Sequence, residues 1–294
     1  MNTAASASLV PIGVRYMLLS ALGFALMAVC VKAVSLQGIP VLEIVAARAF
    51  VSLLISYVDV KRKGISVWGE RHALLTARGV AGTFALICVY YSVSTLPLAE
   101  ATILQYLYPL FTALLALLFL NERVQRATAL CLLLSITGLI VIVRPEFLFG
   151  GTMTLPILSV TAALVGAFGS AVAYVLVRRL SQSEDSSVII FYFPLIALPI
   201  SLTLIVIQNT FVMPSLSTLA LLLLVGVFTQ VGQVGLTKAM QTEEAGKASA
   251  YAYVQVIFSM LLGWICFAEI PTLWTWVGGS LIILGALINL LWKR

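Results

Sequence analysis

Titratable side chains are scarce in this chain. Histidine occurs once, at His72, and only 10% of the 294 residues are Asp, Glu, Lys or Arg, against about one quarter in a soluble domain. The four cysteines, Cys30, Cys88, Cys131 and Cys266, lie in apolar runs without C-x-x-C spacing or a neighbouring histidine, so neither a metal site nor a disulfide framework is expected. There is no Walker A pattern, no plausibly placed Ser/His/Asp constellation, and no Asp, Glu or His at the centre of any apolar run. ATP hydrolysis, enzyme catalysis and a buried carboxylate relay are therefore not expected, and no cofactor is implied. The formal charge of +6 comes from Lys and Arg at the ends of apolar runs, where they anchor helices and do not form a solvated face for nucleic acid. The uncharged stretch before Pro11 lacks the basic region of a signal peptide.

What the chain does have is apolar length. Apolar residues make up 62% of it, too many for an ordinary soluble domain. Crossing roughly 30 Å of hydrocarbon takes about 20 apolar residues, and ten such spans can be placed, at approximate limits 14–34, 40–60, 73–95, 97–120, 126–143, 155–178, 187–207, 216–239, 246–268 and 272–292. Short connections carry Gly38, Pro40, Pro97, Pro145, Gly150, Gly151, Pro214 and Pro271, which start or stop helices. If the N-terminus is cytoplasmic, that side receives Arg15, Lys61, Arg62, Lys63, Arg71, Arg123, Arg126, Arg178, Arg179, Lys238, Lys247, Lys293 and Arg294, against Lys32 and Arg144 opposite. The bias orients the protein with both termini in the cytoplasm of a bacterial-type inner membrane.

The stretch 99–122 recurs 147 residues later as 246–269, with Ala101, Tyr106, Phe111, Leu114, Leu115 and Glu122 matching Ala248, Tyr253, Phe258, Leu261, Leu262 and Glu269. The register extends to Gly79–Gly226 and Gly138–Gly285 and, with one residue less, to Gly23–Gly169 and Lys32–Arg178. Two homologous halves, 1–147 and 148–294, are expected. Each holds five spans, an odd number, so the second half enters the membrane from the other side, and substrate belongs near the midplane between the copies.

The runs Leu96-Pro97-Leu98-Ala99-Glu100-Ala101, Tyr108-Pro109-Leu110-Phe111-Thr112 and Phe119-Leu120-Asn121-Glu122-Arg123, with Gly138 and Gly285 in the fifth and tenth spans, resemble the ten-span EamA-like permeases of the drug/metabolite transporter superfamily. The resemblance covers essentially the whole chain. It departs at Asn121, where the family usually has Gly before the Glu, and the second-half copy, Phe267-Ala268-Glu269, is looser still, so helix-end geometry is open at both places. It implies an all-α membrane protein of two inverted five-helix repeats around a central cavity, with spans 3, 4, 8 and 9 and parts of 1, 2, 6 and 7 at the centre and spans 5 and 10 outside. It also implies export of small metabolites. The aromatic-rich middle spans favour the aromatic and neutral amino-acid exporters, with efflux of hydrophobic or cationic drugs as the alternative. A membrane-embedded enzyme or a non-transporting scaffold is the alternative of another class.

Polar groups within spans should face other helices or water. The candidates for substrate binding are Gln105 and Tyr106 on span 4, Tyr253 on span 9, Thr229, Gln230 and Gln233 on span 8, Thr83 and Tyr90 on span 3, Ser170 and Tyr174 on span 6, and Phe24 on span 1. Such a lining suits an apolar side chain with a zwitterionic head; its bland counterpart is inter-helix hydrogen bonding. Arg48, near mid-span 2, costs about 2.5 to 3.5 kcal/mol if unpaired. It is expected either to hold a substrate carboxylate or to pair with Glu43, Glu100 or a carbonyl. Arg78 and Lys238 are expected to snorkel, Glu122 and Glu269 to be structural, and Pro109, Pro194 and Pro199 to kink spans 4 and 7. Gly79, Gly82, Gly166, Gly169, Gly226, Gly278 and Gly279 should permit close helix approach. Partners are a small-molecule substrate and membrane lipid, with the protein a monomer or weak dimer.

Overall fold

The structure is a computed structural model that describes residues 10–96, 98–143, 156–268 and 270–292; of residues 90, 93, 94 and 98–100 it describes the backbone alone. Among the described residues ten helical stretches are long and apolar enough to cross a membrane. Eight are single helices: span 1 (Ile12–Ser35), span 2 (Val41–Arg62), span 3 (His72–Thr95), span 5 (Arg126–Val143), span 6 (Ile157–Leu180), span 7 (Ser186–Gln208), span 8 (Leu216–Thr242) and span 10 (Leu273–Leu291). Span 4 is two helices, Leu98–Gln105 and Tyr108–Phe119, and span 9 is Ala245–Ala250 joined to Val254–Phe267 by a 3-10 turn, Tyr251–Tyr253. The turn candidates Pro97, Pro145, Gly150 and Gly151, and the charges Arg144, Glu269, Lys293 and Arg294, lie outside the described residues.

Both interrupted spans break at matching places. Pro109 has no N–H for the Gln105 carbonyl, so span 4 opens at Tyr106 and Leu107. Span 9 has Val256 at the corresponding position and tightens into a 3-10 turn without a proline. Span 7, by contrast, runs helically through Pro194 and Pro199. Each interrupted span also ends in a left-handed residue, Asn121 at φ 53° and Ala268 at φ 54°. The backbone shape that glycine would supply is therefore kept by an asparagine, which tolerates it, and by an alanine, which is strained there.

The main helix pairings recur when the two halves are exchanged. Span 1 lies on span 8 as span 6 lies on span 3, span 2 on span 8 as span 7 on span 3, and span 1 on span 9 as span 6 on span 4. Spans 2 and 7, 4 and 9, and 5 and 10 meet as pairs. Small residues make these approaches possible. A Cβ on Gly23 would stand 2.8 Å from the Gly232 nitrogen, and one on its counterpart Gly169 would stand 3.1 Å from Ala85. Gly226 seats Val51 as Gly79 seats Ile196, and Gly138 seats the Gly278 carbonyl as Gly285 seats that of Cys131. In lipid such close packing replaces the hydrophobic drive that water would provide.

Loop contacts show that the copies are inverted. The 2–3 and 6–7 loops share one face, where the Glu70 and Arg71 amides donate to Glu184 and the Lys63 ammonium reaches Asp185. The 1–2 and 7–8 loops meet on the other, where Thr218 donates to Gln37 and the Val212 amide to Glu43. The first face carries the Lys- and Arg-rich helix ends and is called the basic face below.

Candidate functional site

Spans 4 and 9 meet at a cluster of tyrosines. Tyr253 is 0% exposed, and its hydroxyl donates to the Tyr106 carbonyl at 2.6 Å, with ring centroids 5.8 Å apart. Tyr106 packs in turn on Tyr108, ring centroids 6.1 Å apart and tilted, and Tyr108 on Tyr174 at 5.0 Å, also tilted. The helix breaks explain the first contact: an interrupted span leaves a carbonyl unpaired in a buried place, and a side-chain donor from the facing span satisfies it. Ser249 makes a similar, longer approach, 3.4 Å, to the Pro109 carbonyl. Tyr106 and Tyr253, both expected to bind substrate, are here bonded to each other across the seam.

Beyond Tyr174 the helices part around a cavity of about 140 Å³. A buried water needs on the order of 10–15 Å³ of such space, so the cavity has room for several. Its polar walls are Arg48, Arg78, Gln105, Ser170, Tyr174 and Gln233, and its apolar ones include Gly82, Leu86, Val89 and Phe193. Two differences between the halves place it off centre. Where span 1 has Phe24, whose ring would lie 2.7 Å from a Cβ on Gly232, span 6 has the small Ser170; where span 3 has Leu86, span 8 has Gln233. The span 1–8 seam is therefore filled at Gly232, while the cavity opens beside the packed spans 3 and 6, which supply most of its lining.

Arginine charge dominates the cavity. Arg48 is 8% exposed, and its contacts are the Met27 sulfur at 4.0 Å and the Phe193 ring, whose centroid is 5.8 Å from Cζ. Arg78 is 4% exposed, with Cζ 5.0 Å from the same ring, and its Nη2 donates to Gln233 Oε1 at 3.1 Å. Its Nε and Nη1 have no hydrogen-bond partner. The snorkelling expected of Arg78 is thus corrected: the side chain runs inward under span 7, because Gly82, one turn on, lets Phe193 and the guanidinium sit against span 3. The pairing of Arg48 with Glu43 is not found either, since Glu43 accepts from the Val212 amide instead; the Glu100 side chain lies outside the described residues. Among the described residues neither arginine has a carboxylate within ion-pair distance.

Among the described residues the other candidates are engaged with the protein itself. Gln230 accepts from Ser52 Oγ at 2.6 Å and donates to Ser56 Oγ at 2.9 Å, tying span 8 to span 2. It also forms the deep end of a larger cleft of about 550 Å³, open toward the basic face and edged by Arg62, Lys63 and Lys238. The Thr83 and Thr229 hydroxyls donate to Gly79 and Val225 one turn back in their own helices, and Ser170 does the same to Gly166. The Tyr90 side chain lies outside the described residues.

On the basic face a clasp closes the lower end of the tyrosine seam. Glu122, at the end of span 4, accepts from Arg178 Nε at 2.7 Å and from the Ala245 amide at 2.6 Å, which caps the first helix of span 9. Arg178 also donates to the Met240 carbonyl at 2.6 Å. Four spans are tied by two side chains, as the structural reading of Glu122 anticipates.

The EamA-like transporter family profile matches residues 11–144 and again 157–291. The pseudopaline exporter CntI of Pseudomonas aeruginosa is 33% identical over 276 residues, covering 94% of each chain. Human solute carrier family 35 member G1 is 33% identical over 286 residues, covering 94% of this chain and 77% of that one. The riboflavin transporter of Rhizobium johnstonii is 27% identical, covering 94% and 90%. A solved crystal structure superimposes with a TM-score of 0.84 at 18% identity, over 94% of this chain and 95% of the other, a likeness in fold alone.

Proposed function

The chain belongs to the EamA-like transporter family, and from that premise we propose that it is a secondary exporter of amino acids, aromatic and other neutral ones included, or of similar small metabolites. It moves them by alternating exposure of the cavity between the repeats. The observation that carries the reading is the Arg48–Arg78 cavity: guanidiniums bind carboxylates well, and Phe193 and Tyr174 supply apolar wall. Efflux of hydrophobic cations is disfavoured by the same two positive charges. We assign the basic face to the cytoplasm of a bacterial-type inner membrane and the repeat boundary to residues 147 and 148.

Purified protein in liposomes tests this. Loaded, labelled amino acids should leave faster than from protein-free vesicles; if none does, the substrate assignment fails. Repeating the assay with and without an imposed pH gradient at fixed voltage separates facilitation, which the lack of a carboxylate among the described residues of the cavity favours, from proton antiport. A reporter fused to the C-terminus reads the orientation.

A further inference from the structure

We propose that the Arg48–Arg78 cavity is the substrate seat and that it selects molecules carrying two anionic groups, dicarboxylates or phosphate esters of metabolite size, over neutral amino acids. The inference rests on the transporter reading above; it keeps that reading's small-metabolite arm and sets its neutral amino-acid arm aside.

The argument is one of charge balance. Two guanidiniums line one small chamber and share one ring, Phe193, at 5.0 and 5.8 Å. A protein that needed them only as structural glue would supply acceptors, as it does for Arg178 with Glu122 and the Met240 carbonyl. Here the neutral Gln233 amide and the Met27 thioether are the partners, and Arg78 Nε and Nη1 point at none. Buried charges without counterions persist where a ligand provides them. A zwitterion with one carboxylate neutralises one arginine and brings an ammonium toward the other; a second anionic group removes both penalties at once. Among the described residues Tyr174, Ser170 and Gln105 surround the cations with hydroxyl and amide groups and no carboxylate, so an ammonium would meet dipoles there but no counter-charge.

The test compares glutamate with glutamine, which match in shape and differ by one carboxylate, and adds succinate and glycerol 3-phosphate, all titrated against the purified full chain by calorimetry. Glutamate or succinate is expected to bind at least tenfold more tightly than glutamine; glycerol 3-phosphate binding better than either would place the phosphate esters as the preferred dianions. Arg78→Gln and Arg48→Gln should each abolish the preference, and Arg78→Lys should retain part of it. Equal binding of glutamate and glutamine to the wild-type protein, a comparison that needs no variant to fold, would overturn the proposal. So would transport of phenylalanine in liposomes without measurable binding of any dianion, an outcome that leaves the exporter reading intact. Failure of every solute to move would sink that reading instead.

Discussion

The Tyr253 hydroxyl and the Tyr106 carbonyl, 2.6 Å apart, are joined across 147 residues, the interval that separates the two copies of the repeat. Each residue sits at the break in its own span, and the bond is made in one direction only: the second copy gives a side chain and the first gives backbone. Symmetric sequence has produced an asymmetric contact.

That asymmetry predicts unequal mutants. Tyr253→Phe leaves the Tyr106 carbonyl buried and unpaired, at a cost of about 1 to 3 kcal/mol, whereas Tyr106→Phe keeps the carbonyl and should cost less. Thermal unfolding in detergent compares the two; equal losses would show that the bond contributes little.

The Glu122–Arg178 clasp is largely buried, with side-chain exposures of 14% and 18%. Glu122→Ala leaves Arg178 without its carboxylate and should destabilise by roughly 3 to 5 kcal/mol, while adding Arg178→Met should restore part of the loss. A double-mutant cycle on unfolding gives the coupling, and strictly additive effects would argue against it.

Ala268 is strained at φ 54°, so Ala268→Gly should stabilise, by about 1 kcal/mol once the added chain entropy of glycine is set against relief of the left-handed backbone. Asn121→Gly, at the matching position, should give less. A fall in melting temperature for Ala268→Gly would contradict this account of the helix end.

At the basic face, burial pushes the Asp185 carboxyl up, but the Lys63 ammonium at 2.9 Å and the Ser187 amide and hydroxyl outweigh it and hold it below the ordinary 3.8. For Lys63, burial opposes charge, yet Asp185 and Asp59 raise it above 10.5. A depressed acid stabilises above its unfolded value and loses that contribution as pH falls through its folded value. The difference in melting temperature between wild type and Asp185→Asn, which keeps the helix cap, should therefore be constant across neutral pH and shrink below about 3.8. An undiminished difference at low pH would refute the pairing.

Gly23 and Gly169 correspond, yet a Cβ on Gly23 meets the Gly232 backbone at 2.8 Å, while one on Gly169 meets the Ala85 side chain at 3.1 Å. Gly23→Ala must separate spans 1 and 8 and should lower folded yield far more than Gly169→Ala, a comparison that fluorescence-detected gel filtration makes directly.

Much of the architecture was legible along the chain because its causes are local. Bilayer thickness sets the length of an apolar run, so the ten spans lie within a few residues of their expected limits, and Pro109 announced the break in span 4 through its missing N–H. The break in span 9 had no such signal, because a 3-10 turn needs no proline. Arg78 was misjudged for a related reason. Its distance from the helix start suggested escape to the surface, and nothing nearby in sequence records that span 7 lies across its path.

Taken alone, the order of residues determined a ten-span membrane protein built from two opposed copies, since length, polarity and repetition are properties of segments. The tertiary structure alone decided that the cavity opens mainly along spans 3 and 6, and that two arginines from different spans face the same ring there. Those outcomes depend on which side chains from distant parts of the chain fill the gap between helices, as Phe24 does at Gly232 and Ser170 does not near Ala85.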